Sequence, residues 1–332
     1  MQCLILERPG SLQLVERPIP KPGPGELLIR VKAATTCGTD LKAFRRGHPA
    51  IPMPGPLGHE YSGVVESAGD SAKFAPGDEV MGVHSAPCQQ CQWCLADQEN
   101  LCETVISAMV LGSYAEYLLI PARIARLNVF KKPAHLSFAL ASLLEPLACV
   151  AQGILEFKKA GAFPADSTLV IGPGAIGLMF VRALRASGVE RVVLAGRNPD
   201  RLAVGASLGA ETIPWNKEGK GDYDLVVECT GQPEVWEASV NFARRGGRVM
   251  LFGGCPSGTN VSFSTSRLHY DQITLLSPFH FGTAAVLTAK SWLDDPVNDF
   301  SPLISGTRTL AQAGETFADL EAGRGIKFVF QP

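Results

Sequence analysis

The stretch "STLVIGPGAIGLMFVRALRASG", residues 167–188, decides the fold. It opens as a short, unbroken apolar run of strand type, and after Gly174 its apolar residues recur with a helical period that ends at a glycine. Between the two lies G-x-G-x-x-G at Gly172, Gly174 and Gly177, with Pro173, Ala175 and Ile176 as the intervening residues. At a strand-to-helix turn that spacing has a physical reading. Gly172 allows the tight turn, Gly174 removes a side chain that would block a pyrophosphate, and Gly177 lets helix and strand pack closely. The helix end offers unpaired N–H groups and a positive dipole end to phosphates, so the turn predicts a dinucleotide site.

Downstream, the same alternation continues. "RVVLAG" reads as the next strand, and "NPDRLAVGASLGA" as a helix with Asn198 as N-cap and Pro199 at the first helical position. Further strands are expected at "DLVVECTG", "RVMLFGG" and "QITLLSP". This pattern implies a parallel sheet covered on both faces, an α/β class. Thr230 and Gly253, at the ends of two of these strands, join the expected cofactor contacts. A dinucleotide turn of this kind calls for an acidic residue about twenty positions on, at the ribose hydroxyls. The chain has Gly196 and Arg197 there. Glycine leaves room for a 2′-phosphate and a guanidinium pairs with it in fork geometry, so NADP is expected over NAD, with Arg201 one turn later as a second cation.

Upstream, residues 1 to about 145 have another texture: Gly and Pro break them into short apolar runs such as "LLIRVKAA", "YSGVVESAG" and "DEVMGV". That is the texture of an all-β domain with many turns. A length of 332 residues suits two such domains. The formal net charge of −2, with both signs interspersed, argues against a nucleic-acid or membrane-binding face. The first residues lack a basic start and a long apolar run, and no apolar stretch is long enough to span a bilayer, so a cytoplasmic protein is expected.

Reducing thiol pools in that compartment disfavour disulfides, which gives weight to metal binding by "PCQQCQWCLADQENLC". Cys88, Cys91, Cys94 and Cys102 have the spacing with which one loop wraps four thiolates around a tetrahedral zinc. With all four positions filled, such a site holds the loop together and has no room for substrate. Chemistry is expected elsewhere in the first half: Cys37 in "TTCGTDLK", His59 and Glu60 in "LGHEY", and Glu145 in "LLEPLA". Cysteine, histidine and carboxylate are zinc ligands, and three of them with an open position make a catalytic site. Cys3, Cys149, Cys229 and Cys255 have no partner at ligand spacing and read as small buried residues.

The ordered set Cys37-Gly38-Thr39-Asp40, Gly58-His59-Glu60, Gly77-Asp78-Glu79-Val80, the four-cysteine loop, Glu145-Pro146-Leu147 and the glycine turn resembles the zinc-dependent medium-chain alcohol and polyol dehydrogenases, above all their sorbitol and threonine dehydrogenase branch. The resemblance covers nearly the whole chain. It implies a GroES-like β domain over residues 1–145, a Rossmann domain over 146–285, and a segment 286–332 that completes the first domain. It also implies two zinc ions per chain, the catalytic one on Cys37, His59 and Glu145 with Glu60 as a further ligand. Thr39 would pass on the alcohol proton, and Lys327 would lie near the cofactor pyrophosphate. The implied reaction moves hydride between a secondary alcohol of polyol, sugar or amino-alcohol type and NAD(P). Two alternatives stand beside it: a carbonyl reductase using NADPH, and a noncatalytic NADP-binding descendant. Homodimers or homotetramers joined through edge strands near "VSFSTSRL" or "ITLLS" are implied as well. One departure is Lys42, where the family often has the histidine that ends the proton relay. With Arg45, Arg46 and His48 it hints at an anionic or polyhydroxylated substrate.

Overall fold

In a computed structural model of the chain, which describes every residue except Pro164 and Gly219, the chain divides into two compact units. The first comprises Met1–Ala148, Phe281–Pro296 and Ile304–Pro332, and the second Cys149–His280 and Val297–Leu303. The return of 297–303 to the second unit has no sequence signal. It is held by Arg182, whose Nη2 donates to the Val297 carbonyl at 2.6 Å, and by the buried Leu303.

In the first unit, a seven-stranded sheet runs in the order Ile304–Arg308, Lys327–Phe330, Leu27–Thr35, Tyr61–Ala68, Glu79–Gly82, Val129–Lys131, and Tyr117–Ile120 also pairs with Leu27–Thr35. Neighbours are antiparallel except the first pair. A second sheet of three strands joins Ser11–Glu16, Gln2–Arg8 and Gly55–Pro56. Apolar residues of these strands and of the helices Gly38–Arg46 and Ala313–Glu321 close one core, including Ile29, Val31, Tyr61, Val80, Phe317 and Phe330. Gly-Pro breaks and β-branched runs suit such a meander, because turns need residues that tolerate them and strands need side chains that pack on a pleat. The C-terminal strand Lys327–Phe330 lies inside this sheet, buried along its whole length.

The second unit carries six parallel strands in the order Glu211–Pro214, Arg191–Gly196, Ser167–Ile171, Tyr223–Glu228, Ala243–Leu251, Thr274–Leu276. Counted along the chain this order is 3-2-1-4-5-6, the doubly wound Rossmann arrangement, with its switch point between Ser167–Ile171 and Tyr223–Glu228. All five residues of the central strand Ser167–Ile171 are buried, as a strand covered on both faces requires. The helix that follows, Ala175–Ala186, buries Leu178, Phe180, Val181 and Leu184, the period seen in the sequence. Asn198 caps the helix Pro199–Ser207 by accepting from Arg201 N–H, with Pro199 in its first turn. The "VSFSTSRL" stretch forms a loop and the short helix Thr265–Tyr270 rather than a strand, because Ser264 caps that helix and ends any extended run. No helix among the described residues is long and apolar enough to cross a membrane.

Asp224 ties this sheet together: its Oδ2 accepts from the Ser167 N–H at 2.9 Å and its Oδ1 from Arg244 Nε at 2.5 Å. Burial alone would raise the Asp224 pKa, but Arg244 and Ser167 outweigh it and hold it below the usual carboxylate range. A depressed folded pKa gives stability that is present above the unfolded value near 4 and lost as pH falls through the folded one. Asp224→Asn should therefore cost about 1–3 kcal/mol in urea unfolding at pH 7, with the gap from wild type closing toward pH 3.

Candidate active site and cofactor turn

The first site is built where the strand Leu27–Thr35 gives way to the helix Gly38–Arg46. Cys37 is the N-cap of that helix, and its Sγ accepts from Thr39 N–H at 3.4 Å. The turn at Gly58, with φ of 88°, sets His59 and Glu60 beside it at the start of Tyr61–Ala68. One ligand atom from each of Cys37, His59 and Glu60 lies within 4.8 Å of the others. Three donors of these types, two of them buried in the core, match the ligand chemistry of zinc.

The surroundings orient these donors. Asp40, fully buried one turn after Cys37, lies with Oδ1 at 3.4 Å from His59 Nδ1, while its Oδ2 accepts from the Tyr114 hydroxyl at 2.6 Å. Gly58 N–H donates to the same carboxylate at 3.4 Å. Burial would raise Asp40, but His59, Tyr114 and Gly58 outweigh it and keep it ionised. Burial would in turn lower His59, but Asp40 and Cys37 hold it well above an ordinary histidine. An imidazole that gives Nδ1–H to a carboxylate has its tautomer fixed and presents Nε2 outward, the arrangement that ligating histidines use. Glu60 is held in another way. Lys327 Nζ donates to both its oxygens at 2.7 and 2.5 Å and to the Thr36 carbonyl at 2.6 Å, and the Thr35 hydroxyl also donates to Glu60. Burial raises the Glu60 pKa and Glu145 adds to it, against the pull of Lys327.

Lys327, expected at the cofactor, thus has its ammonium on Glu60, because its strand is central to the sheet and a buried cation needs a buried anion. Glu145, expected as the third ligand, has Oε1 at 3.2 Å from Nδ1 of His84, whose ring centroid is 5.1 Å from that of His59. Thr39 sits in the first turn of the helix. Sequence reading missed Asp40, Tyr114 and His84 as parts of the site. Asp40 lay inside the Cys-Gly-Thr-Asp motif and could have been found by asking what holds the histidine. Tyr114 and His84 carried no such signal.

The four-cysteine loop closes as its spacing implies. Cys91 Sγ lies 3.5 Å and Cys88 Sγ 3.9 Å from Cys94 Sγ, and all four sulfurs fall within 4.8 Å of one another. A tetrahedron with zinc–sulfur bonds of 2.3 Å has edges of about 3.8 Å, so the set fits a zinc ion. The sulfurs differ before any ion binds: burial opposes ionisation of Cys102, but Cys88 N–H and Thr104 bring it down to about 6, whereas burial and the neighbouring thiols push Cys94 up to about 12.

In the second unit a cavity of about 180 Å³ lies at the C-terminal ends of the strands by the switch point. Gly172, Pro173, Gly196, Arg197, Arg201 and Thr230 all line it, with Trp215, which sequence reading missed, and no carboxylate is among the lining residues. The glycines differ in why they are glycine. A Cβ on Gly177 would lie 2.0 Å from the Gly172 carbonyl oxygen, and one on Gly196 would lie 2.4 Å from Pro173 Cγ, so packing forbids a side chain at both. A Cβ on Gly174 would meet nothing within 4 Å, which leaves space over a helix N-terminus for a phosphate. Gly253 packs on Gly231 at the end of the next strand: a Cβ there would lie 2.3 Å from Gly231 N and 2.9 Å from the buried Glu228 Oε2. The donor set, the open cradle and the two guanidinium groups fit NADP.

Gly174→Ala should leave the melting temperature unchanged while weakening NADP binding at least tenfold by titration, whereas Gly177→Ala should lower stability by about 1–3 kcal/mol. Metal analysis of the wild type should return two zinc ions per chain, and Cys94→Ser should lose one of them together with thermal stability.

Comparisons with known proteins agree with this geometry. Residues 23–133 match the family "Alcohol dehydrogenase GroES-like domain" and residues 175–293 the family "Zinc-binding dehydrogenase". The chain is 33% identical over 262 residues to L-threonine 3-dehydrogenase of Coxiella burnetii, with 74% of each chain covered. It is 32% identical over 287 residues to D-altritol 5-dehydrogenase of Agrobacterium fabrum, with 83% of each covered. A zinc-binding dehydrogenase of Sinorhizobium meliloti solved with NADP superposes with a TM-score of 0.89 at 27% identity, over 100% of this chain and 99% of that one. With a GroES-like unit, a Rossmann unit and both zinc-type donor clusters, the chain belongs to the zinc-dependent medium-chain alcohol dehydrogenase family.

Proposed function

We propose that the protein catalyses reversible hydride transfer between a secondary alcohol and NADP, at a zinc site formed by Cys37, His59 and a carboxylate from Glu60 or Glu145. The observation that carries this reading is the convergence of Cys37, His59 and Glu60 donors at one helix N-terminus, backed by the buried Asp40. Zinc, when bound, supplies Lewis acidity that makes the substrate hydroxyl acidic near neutral pH.

The chain's own groups do the rest. Asp40 keeps the His59 ring in one tautomer and orientation. Lys327 balances the charge of Glu60, so that a carboxylate can be held in the core beside thiolate and imidazole. Thr39 Oγ1, two residues after Cys37, is the group that passes the hydroxyl proton outward. Gly172 to Gly177 present N–H groups to the pyrophosphate, and Arg197 and Arg201 pair with a 2′-phosphate. Support for NADP comes from these two guanidiniums and the absence of a carboxylate around the cavity. It also comes from the NADP found in the Sinorhizobium relative. The named relatives, threonine and altritol dehydrogenases, support a substrate bearing several polar groups. A homo-oligomer joined along the outer strand Thr274–Leu276, and a cytoplasmic setting, complete the reading.

The zinc-loaded enzyme should reduce NADP with a secondary alcohol at least tenfold more efficiently than NAD, measured by nicotinamide absorbance. Arg197→Ala should lower kcat/KM for NADP by about 10–100-fold and leave that for NAD nearly unchanged. Equal use of both cofactors by wild type and variant would remove the NADP assignment, and full activity in zinc-free His59→Ala would remove the metal site.

A further inference from the structure

We infer that the alcohol taken by this site carries an oxyanion, a carboxylate or a phosphate, which Lys42 and Arg46 bind. The inference rests on the dehydrogenase reading above and narrows its substrate.

The helix Gly38–Arg46 begins at Cys37 and is strongly two-faced. Asp40 and Ala43 are buried, Leu41 and Phe44 pack on the core, and Phe44 stacks on Phe317 at 5.3 Å. At 100° per residue, Thr39, Lys42 and Arg46 fall within an arc of roughly 60° on the other side. This stripe starts next to the donor group, since Thr39 N–H points at Cys37 Sγ, and runs about 10 Å along the helix axis.

The charges along the stripe are not spent inside the protein. Arg45, on the flank of the same helix, pairs with Glu321 at 3.2 Å. Lys42 and Arg46 are exposed and have no carboxylate or hydrogen-bond partner among the described residues. Two like charges at i and i+4 destabilise a helix by a few tenths of a kcal/mol, and an ordinary solvated face mixes signs to avoid this. Only Arg46, in the last turn, gains from the helix dipole. Lys42 does not, and its exposed ammonium forms no ion pair among the described residues, which leaves it available to a bound anion.

His48 follows Gly47, where the helix stops at φ of 82°. Its Nδ1 accepts from Ala50 N–H at 3.2 Å, which puts the ring proton on Nε2. Burial, with Lys42, His59 and Arg46, keeps it below an ordinary histidine against the opposing pull of Asp40. The ring follows two residues after Arg46 and adds a neutral donor beside the end of the stripe. Charge-assisted bonds from ammonium and guanidinium are about twice as strong as those to a neutral hydroxyl, so the stripe discriminates anionic alcohols from neutral polyols. Its length fits an anion several bonds from the reacting carbon, as in a sugar acid or a sugar phosphate.

The test compares kcat/KM for hexitols, the corresponding hexonates and the corresponding hexitol phosphates of several configurations, with zinc-loaded enzyme and saturating cofactor. The best anionic member should exceed its neutral counterpart at least tenfold, and hexonate against hexitol phosphate tells which oxyanion is bound. The ratio should fall roughly tenfold in Lys42→Gln and in Arg46→Gln, shrink in high salt, and stay unchanged in Arg45→Gln. A neutral hexitol that matches or beats its anionic counterparts, or a ratio that Lys42→Gln and Arg46→Gln leave intact, would overturn the inference while the dehydrogenase reading stands. No turnover of any member, in enzyme that oxidises another secondary alcohol in the assay above, would likewise overturn the inference while the dehydrogenase reading stands.

Discussion

The buried contact between Lys327 and Glu60 is the constraint on which the first unit turns. Both residues are almost wholly removed from water, and they lie 267 positions apart in the chain. Removing one partner of such a pair leaves a charge in the core at a cost of about 3–5 kcal/mol, so neither side chain is tolerable without the other. The strand Lys327–Phe330 must therefore lie against Leu27–Thr35, and the Gly58-His59-Glu60 turn must face it. With these two in place, Cys37 just past the end of Leu27–Thr35 and His59 next to Glu60 are brought together, and Asp40 fixes the histidine there.

Around that pair the site shows a division of labour between acids. Asp40 points at His59, Glu60 at Lys327, and Glu145 reaches His84. Each carboxylate has its own cation or potential cation, which is how three buried acids coexist in one small volume. The same economy does not hold in the second unit, where a single buried acid, Glu228, organises a turn by accepting from the N–H groups of Thr230 and Gly231 at 2.5 and 3.1 Å. Backbone N–H groups and the Thr230 hydroxyl, rather than side-chain cations, hold it. This is consistent with an end of the sheet that must stay open to an anionic cofactor.

The sequence was most informative where chemistry is local. Four cysteines within fifteen residues, a glycine turn between a strand and a helix, and an Asn-Pro helix start each contain their own geometry, and the structure has each of them. The parallel sheet followed from the alternation of elements, whereas its strand order is seen only in the structure. The sequence was silent where groups meet over long separations. Tyr114 reaches Asp40 across 74 residues, and His84 finds Glu145 only because the sheet and the helix Leu144–Lys159 bring them together. Lys327 was assigned to phosphate on resemblance alone, and only the register of its strand reveals Glu60 as its partner. Gly196 is a milder case. Its lack of a side chain can be read from the sequence as room for a phosphate, but the contact with Pro173 shows that packing of the turn requires glycine there as well.

The discontinuity of the first unit has a consequence for the order of events during synthesis. Residues of the nucleotide-binding unit are almost contiguous, so that its sheet can form while the chain is still growing. The catalytic unit cannot finish at that stage, because Glu60 waits for an ammonium that lies 267 positions further along the chain, beyond the nucleotide-binding unit. Until then the Glu60 carboxylate must stay hydrated or protonated, although Cys37 and His59 already have their local partners Thr39 and Asp40. The partner that fixes Glu60 is thus made only after the whole nucleotide-binding unit, so the Cys37, His59 and Glu60 cluster is completed later than the sheet that carries the glycine turn.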